Sequence, residues 1–191
     1  MTSSTAKRII ITRRWRSPCG VLELGSLGGR LVMSDWVDGW HRRATLSRTE
    51  RLLNATFEEG DSTLLDKAQT ELEEYFAGRR LTFSVPTLAA GSDFQKRVWE
   101  ALQAIPWGSL VTYSELAAKL GSPRAVRAVA NAVGANPLSI IIPCHRVIGA
   151  DGTLTGYGGG YAAKRALLAL EFGIPEQELP WPDGGTDRES R

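Results

Sequence analysis

The stretch NPLSIIIPCHRV, residues 136–147, organises this chain of 191 residues. Its three consecutive isoleucines form a short, wholly apolar run, which predicts a buried and extended segment. Pro143 then interrupts any regular strand pairing because it has no N–H to donate. A lone cysteine is most simply a core residue, but a purely structural site does not need His145 and Arg146 beside the sulfur. The stretch therefore predicts that Cys144 is a nucleophile.

The chemistry of that nucleophile depends on its neighbours. Cysteine attacks as its thiolate, and a free thiol with a pKa near ~8.5 is mostly protonated at neutral pH. A neighbouring base or positive charge is needed to raise the thiolate fraction, and His145 is the natural base. Because successive side chains of an extended chain point to opposite faces, contact between Cys144 and His145 requires a turn or a bridging water. Asn136, which precedes Pro137, predicts a fixed turn upstream.

Composition indicates a globular protein of one domain or two small ones, with 42% hydrophobic and 23% charged residues. Positive charge is concentrated in residues 92–173, which hold 8 Lys and Arg against 5 Asp and Glu. That excess is compatible with nucleic-acid binding but too small to establish it. Two cysteines and two histidines exclude a disulfide scaffold and a cysteine-rich zinc site. We therefore expect no structural metal. No apolar run reaches the length of a membrane span, so we expect a cytoplasmic protein.

The first half of the chain predicts a small α/β domain built on an antiparallel sheet. The expected strands cover residues 8–14, 21–25, 31–37 and 81–85. Apolar residues at four-residue spacing predict a helix over 64–77. The segment 42–60 shows no clear pattern, and residues 86–91, with proline and small residues, are the expected domain linker. The N-terminal domain is therefore predicted to cover residues 1–91.

Residues 92–173 predict a mostly α-helical domain. Capping boxes at Ser92 and Thr112 predict two helix starts, and Ser122-Pro123 predicts a third helix that runs to about Val133. The second and third of these helices, joined by a tight turn, predict a helix-turn-helix. A further helix is expected over residues 161–172, and residues 174–191 form an acidic tail that is expected to be disordered or loosely attached.

The third helix has a polar face with small residues, which would let it approach DNA closely. Its members are Arg124, Arg127, Ala128 and Asn131. An ordinary solvated face is the alternative interpretation. The cysteine motif that follows shortly after this helix favours DNA binding.

Residues 143–147, PCHRV, resemble the active-site pentapeptide of the O6-alkylguanine-DNA alkyltransferases. The pair Asn136-Pro137 and the run GYGGG at 156–160 are also similar to that family, and the resemblance extends over about 92–173. It implies irreversible transfer of the alkyl group from O6-alkylguanine, and from O4-alkylthymine, in double-stranded DNA to the protein's own cysteine. It also implies that the base is flipped out from the minor groove, and that no cofactor takes part.

The resemblance assigns the catalytic residues one by one. Cys144 matches the acceptor, and His145 matches the residue that takes the thiol proton through water. Glu171 matches the carboxylate that orients this histidine. Asn136 matches the turn asparagine that links the recognition helix to the active site.

The resemblance also implies DNA and substrate contacts. Arg127 matches the arginine that enters the base stack in place of the flipped base, and Tyr113 matches a tyrosine near the flipped guanine and its phosphate. Further DNA contacts are expected from Arg124, Ala128 and Asn131. The substrate pocket is expected to include Val147, Tyr157, Gly158 and Lys164.

Three other functions fit parts of the pattern. A non-catalytic binding protein for alkylated DNA, with the same fold, would lack the acceptor cysteine, whereas Cys144 is present. A cysteine hydrolase normally has its histidine distant in sequence from the nucleophile. A transcription factor would be expected to show an oligomerisation face, and the sequence shows none, so we expect a monomer.

Overall fold

A four-stranded sheet opens the chain in the computed structural model, which describes residues 6–182. Strands β1 (Arg8–Ser17), β2 (Gly20–Leu27) and β3 (Arg30–Trp36) pair antiparallel in chain order. The β2–β3 turn uses Gly28 and Gly29 with φ angles of 56° and 74°, a left-handed conformation that glycine adopts without a steric penalty. The antiparallel pairing predicted for these three strands is confirmed.

The segment without a sequence pattern supplies two further elements, helix α1 (Arg42–Leu53) and strand β4 (Ala55–Glu59). Strand β4 pairs with β1 in parallel, so the sheet has the order β3-β2-β1-β4 and is mixed rather than wholly antiparallel. Helix α1 gave no apolar periodicity because two of its three buried residues are the threonines Thr45 and Thr49.

Helix α2 (Thr63–Phe76) confirms the prediction for residues 64–77, and Ser62 caps it by accepting a hydrogen bond from the Leu65 amide at 3.2 Å. The strand predicted over 81–85 is wrong, because this segment is irregular. Its amides at Ser84 and Val85 donate to the buried carboxylate of Glu71 at 2.8 and 3.1 Å. A side chain therefore satisfies the amides that a neighbouring strand would otherwise bind.

The predicted linker is attached to the sheet. The Leu31 amide of β3 donates to the Pro86 carbonyl at 2.8 Å, and the Leu88 amide donates back to the Leu31 carbonyl at 2.9 Å. Residues 86–91 therefore lie along β3 instead of spanning a gap between domains.

The second part of the chain is mostly helical, as predicted. Its helices are α3 (Asp93–Gln103), α4 (Tyr113–Lys119), α5 (Val126–Gly134) and α6 (Gly160–Phe172). Both capping boxes are present, at Ser92 and at Thr112. Helix α5 packs against α3 and α4, which gives the predicted helix-turn-helix.

Two sequence predictions about this part are wrong. Helix α5 begins at Val126 and not at Ser122, because the Ser122 carbonyl accepts from the Ala125 amide at 2.8 Å and forms a separate turn. The start of the predicted loose tail is packed, since Leu179 is buried and the Trp181 ring lies 4.8 Å from the ring of Phe172. The rest of the tail, 183–191, lies outside the described residues. None of the described helices has the length and apolarity needed to cross a membrane.

Candidate active site

The isoleucine run is buried as predicted, but it is not extended. Ile140 has a φ of 71°, a left-handed conformation that is rare for a β-branched residue, and the Ile142 amide donates to the Leu138 carbonyl at 2.8 Å. Asn136 holds this turn at both ends. Its side-chain oxygen accepts from the Leu138 amide at 3.0 Å, and its amide group donates to the Ile142 carbonyl at 2.9 Å. The turn predicted at Asn136 therefore exists and includes the isoleucines.

The cysteine follows in a single 3-10 turn, Cys144–Arg146. The same Asn136 amide donates to Cys144 Sγ at 3.1 Å, a contact that favours the thiolate. Burial nevertheless dominates and raises the pKa of Cys144 to about 11, although Asn136 and Lys164 both oppose this shift. The resting group is a protonated thiol at neutral pH, so a base is required to take its proton.

The base next to it has a defined tautomer. His145 is fully buried, and its Nε2 lies 2.7 Å from Glu171 Oε1. Burial opposes ionisation of Glu171, but the hydrogen bonds from His145 and Arg146, together with the charge of Arg146, outweigh it and lower the pKa of Glu171 to about 2. An ionised carboxylate only accepts hydrogen bonds, so Nε2 carries the proton.

The other ring nitrogen of His145, Nδ1, is available to accept a proton. Burial lowers the pKa of His145 below 6.5, with Glu171 opposing the shift, so the ring is neutral at pH 7. Nδ1 then holds the lone pair, and it is buried without a hydrogen-bond partner among residues 6–182. The ring can accept one proton at this atom.

Arg146 has a structural role that the motif alone did not assign. Its Nε and Nη2 donate to the two oxygens of Glu171 at 2.8 and 2.9 Å, and its Nη1 donates to the Ile105 carbonyl. This fork fixes the carboxylate in one plane. The sequence signal was its place directly after the Cys-His pair.

Three residues of the N-terminal domain also reach the site, although no sequence motif indicated them. The Tyr75 hydroxyl donates to Glu171 Oε1 at 2.7 Å, and Trp36 Nε1 donates to the Tyr157 hydroxyl at 3.2 Å. A Cβ added to Gly158 would lie 2.3 Å from Cε1 of His41. The glycine-rich loop, residues 156–160, therefore lies directly against the first domain.

The predicted pocket residues lie together around this loop. Val147 belongs to the short strand β6 (Val147–Ile148), which pairs in parallel with β5 (Val111–Thr112). Lys164 is fully buried, and its ammonium donates to the carbonyls of Val147 and Thr155 at 2.6 and 2.9 Å. Burial lowers the pKa of Lys164 to about 8, so it remains mostly charged at pH 7.

Four of the predicted DNA-binding residues lie on an exposed surface. Arg127, Ala128 and Asn131 are exposed on α5, opposite the buried Val129, whereas Arg124 is exposed in the turn before the helix. Both arginines lack an ion pair within residues 6–182. We define Arg124, Arg127, Ala128 and Asn131 as the α5 surface.

Tyr113, at the start of α4, is half-buried, and burial raises its pKa above 10, so its hydroxyl keeps its proton at neutral pH. Within the described part of the chain, no group of three His, Cys, Asp or Glu side chains is placed to hold a metal ion.

Two family models match the chain. Residues 10–89 match the 6-O-methylguanine DNA methyltransferase, ribonuclease-like domain, and residues 93–172 match the 6-O-methylguanine DNA methyltransferase, DNA binding domain. Together these two models cover both parts of the fold described above.

Curated relatives carry the same description. A methylated-DNA--protein-cysteine methyltransferase of Mycobacterium tuberculosis is 50% identical over 127 residues, which cover 63% of this chain and 77% of that protein. The constitutive enzyme of that name from Bacillus subtilis is 44% identical over 138 residues, which cover 72% and 77%. For the Haemophilus influenzae relative, at 49% identity, the match covers 65% of this chain and 66% of that protein.

Solved structures agree over most of the chain. Mycobacterium tuberculosis OGT in complex with DNA is 42% identical, with a TM-score of 0.74 over 87% of this chain and 97% of that one. The O6-methylguanine-DNA methyltransferase from Pyrococcus kodakaraensis is 25% identical, with a TM-score of 0.60 over 85% and 98%.

Proposed function

The chain belongs to the 6-O-methylguanine DNA methyltransferase family, and from that premise we propose that it repairs alkylated DNA directly. The alkyl group moves irreversibly from O6 of guanine, and from O4 of thymine, to Cys144. The observation that carries this proposal is the buried Cys144 thiol, bound by Asn136, next to a neutral His145 that Glu171 orients. The proposed partner is double-stranded DNA that contains alkylated bases, and the protein acts as a monomer in the cytoplasm.

The transfer is a displacement at the alkyl carbon. His145 Nδ1 takes the thiol proton, through a bridging water because no direct hydrogen bond joins the two residues. The sulfur then forms its bond to the alkyl carbon while the bond from that carbon to O6 breaks. The electron pair of the broken bond goes to the guanine, which takes up one proton and becomes the normal base. The thioether has no leaving group that water displaces readily, so each protein molecule reacts once.

The buried thiol cannot reach a base inside a duplex, so the nucleotide has to be extruded into the pocket. The α5 surface is the proposed DNA contact, with Arg127 filling the gap that the extruded base leaves. Val147, Tyr157, Gly158 and Lys164 are the proposed pocket residues, and Tyr113 is the proposed contact near the flipped guanine and its phosphate. Exposed arginines that form no ion pair within residues 6–182 are suited to phosphate contacts and to this insertion.

Stoichiometry and position of the label test the proposal. We expect incubation with a duplex that contains O6-methylguanine to add one methyl group per protein molecule, located on Cys144 by peptide mass mapping. Cys144→Ser should show no transfer. Cys19→Ser is the matched control, since Cys19 is the other cysteine of the chain, and it should react like the wild type.

Two outcomes would contradict the proposal. Repeated turnover, or a methyl group on Cys19, would exclude Cys144 as a single-use acceptor. Tight binding to the damaged duplex without any change in protein mass would instead support the non-catalytic DNA-binding alternative.

A further inference from the structure

One buried hydroxyl from the N-terminal domain enters the His145–Glu171 pair. Tyr75 of α2 is fully buried, and its hydroxyl donates to Glu171 Oε1 at 2.7 Å. The same hydroxyl oxygen lies 3.5 Å from His145 Nε2. Burial, followed by the charge of Glu171, raises the pKa of Tyr75 well above its ordinary value, so the hydroxyl keeps its proton and remains a donor.

That donor shares one oxygen with the histidine. Glu171 Oε1 accepts from His145 Nε2, from the Tyr75 hydroxyl and from Arg146 Nη2. An ionised carboxylate beside an imidazole favours the imidazolium, which has no lone pair left for the thiol proton. Each additional donor to Oε1 stabilises the carboxylate's charge and so weakens its stabilisation of the imidazolium.

We propose that Tyr75 is a positioning residue that keeps His145 neutral, with Nε2–H directed at Glu171 and Nδ1 free for the thiol proton. This inference rests on the proposed function, because it gives the hydroxyl a role in alkyl transfer. Through this hydroxyl the N-terminal domain acts on the proton acceptor of the reaction.

Other titratable and charged groups also influence the protonation of His145. The titratable and charged groups that face the ring come from the 3-10 turn, from α6 and from the glycine-rich loop. They are Cys144, Arg146, Lys164, Glu171 and Tyr157. Arg146 and Lys164 disfavour the imidazolium and Glu171 favours it, and the Tyr75 hydroxyl acts on Glu171.

The substitution Tyr75→Phe removes this hydroxyl and leaves the ring. The ring packs against Phe76, Phe83 and Trp107 with centroid distances of 5.4, 5.5 and 5.1 Å, so the aromatic cluster is retained. We expect the acidic limb of the pH profile for transfer from free O6-methylguanine base to move to higher pH by about one unit. The rate above that limb should change little.

A titration without substrate provides an independent measurement. The chain has two histidines, so the imidazole signals of His145 can be assigned in NMR spectra by their loss in His145→Gln. We expect His145 in Tyr75→Phe to titrate at a higher pH than in the wild type. Phe83→Leu is the matched control, because it disturbs the same ring cluster without removing a hydrogen bond to Glu171, and it should leave both the limb and the titration in place.

The outcomes separate the two proposals. If wild-type protein transfers alkyl groups and Tyr75→Phe leaves the limb and the His145 titration unchanged, Tyr75 is a packing residue and the inference is overturned. Equal shifts in Tyr75→Phe and Phe83→Leu would overturn it as well. If wild-type protein transfers no alkyl group, the proposed function fails, while the NMR titration still decides the effect of the hydroxyl on His145.

Discussion

At the scale of single residues, the site combines a thiol that resists ionisation with a base that resists protonation. Burial raises the pKa of Cys144 to about 11 and lowers the pKa of His145 below 6.5. The resting pair is therefore neutral, and thiols of this kind react slowly with solutes because the thiolate is the reactive form. Asn136 and Lys164 favour the thiolate, so these two residues stabilise the charged sulfur once its proton has been removed.

The Glu171 carboxylate should make stability depend on pH in the acidic range. Its pKa is lowered from 4.5 to about 2 in the folded protein, so its contribution is complete above pH 4.5 and is lost as the pH falls toward 2. A shift of this size corresponds to roughly 3 kcal/mol. We expect Glu171→Gln to reduce the free energy of unfolding at pH 7 and to approach the wild type between pH 4.5 and 2, as measured by urea denaturation.

The matched control for this prediction is Glu100→Gln. Glu100 is exposed on α3 and has no hydrogen bond or ion pair within the described residues, so its removal should leave the acidic slope unchanged. A difference between Glu171→Gln and the wild type that stays constant from pH 7 to pH 2 would show that the carboxylate is not held ionised by its partners.

At the scale of elements, the sequence predicted the features that local interactions determine and missed those that depend on more distant contacts. The helix starts at Ser92 and Thr112 were predictable because each capping box satisfies amides within the same turn. Helix α1 was not, since buried threonines at positions 45 and 49 give no apolar period. The left-handed Ile140 was not predictable either, because the side chain of Asn136 imposes that turn from four residues away.

The residues of the candidate site divide in the same way. A local motif indicated some of them, and only packing between the domains brings in the others. Cys144, His145 and Asn136 lie in one stretch, so a single motif indicated them together. Tyr75 and Trp36 reach the site only through packing between the two parts of the chain. Neither carries a sequence pattern that distinguishes it from an ordinary core aromatic.

Helix α5 carries the prediction that separates base flipping from chemistry. Arg127 is exposed on α5, away from the buried thiol, so Arg127→Ala should slow repair of a duplex much more than reaction with free O6-methylguanine base, which needs no flipping. His145→Gln should slow both reactions alike. The measurement is the pair of second-order rate constants for each variant.

Arg79→Ala serves as the control for loss of positive charge, because Arg79 is exposed in the N-terminal domain outside the α5 surface. It should leave both rate constants near the wild-type values. Equal slowing of both reactions by Arg127→Ala would mean that Arg127 affects either the thiol or the stability of the fold. The insertion role would then be abandoned.

At the scale of the whole molecule, the N-terminal domain directly supports the turn that precedes Cys144. The Ser34 amide of β3 donates to the Pro137 carbonyl at 2.9 Å, and the Ser139 amide donates to the Ser34 carbonyl at 2.7 Å. From α1, the Arg48 guanidinium donates to the Ala135 carbonyl at the C-terminal end of α5. The first domain thus holds both the C-terminal end of α5 and the turn that follows it.

Removal of the Arg48 contact should weaken the whole fold. The guanidinium satisfies a helix-end carbonyl and lies near the buried Asp35, whose pKa burial raises to about 6. We expect Arg48→Met to lower the free energy of unfolding by about 1.5–3 kcal/mol, the range for a hydrogen bond to a charged group. Urea denaturation at pH 7 is the measurement.

Arg51→Met is the matched control, since Arg51 lies on the exposed side of the same helix and surface substitutions usually change stability by less than ~0.5 kcal/mol. Equal losses in the two variants would mean that the contact with Ala135 adds no stability beyond that of any α1 arginine.

The close packing of Gly158 and Gly159 limits how this molecule can be recombined with its relatives. A Cβ at Gly159 would lie 2.6 Å from Cε2 of Trp36, and one at Gly158 would meet the ring of His41. A chimera can take its first domain from one homologue and its second from another. It then has to keep Trp36 and His41 in the first domain matched with Gly158 and Gly159 in the second. Whether two parent domains are compatible depends on these four residues. It does not depend on residues 86–91, which join the domains along the chain.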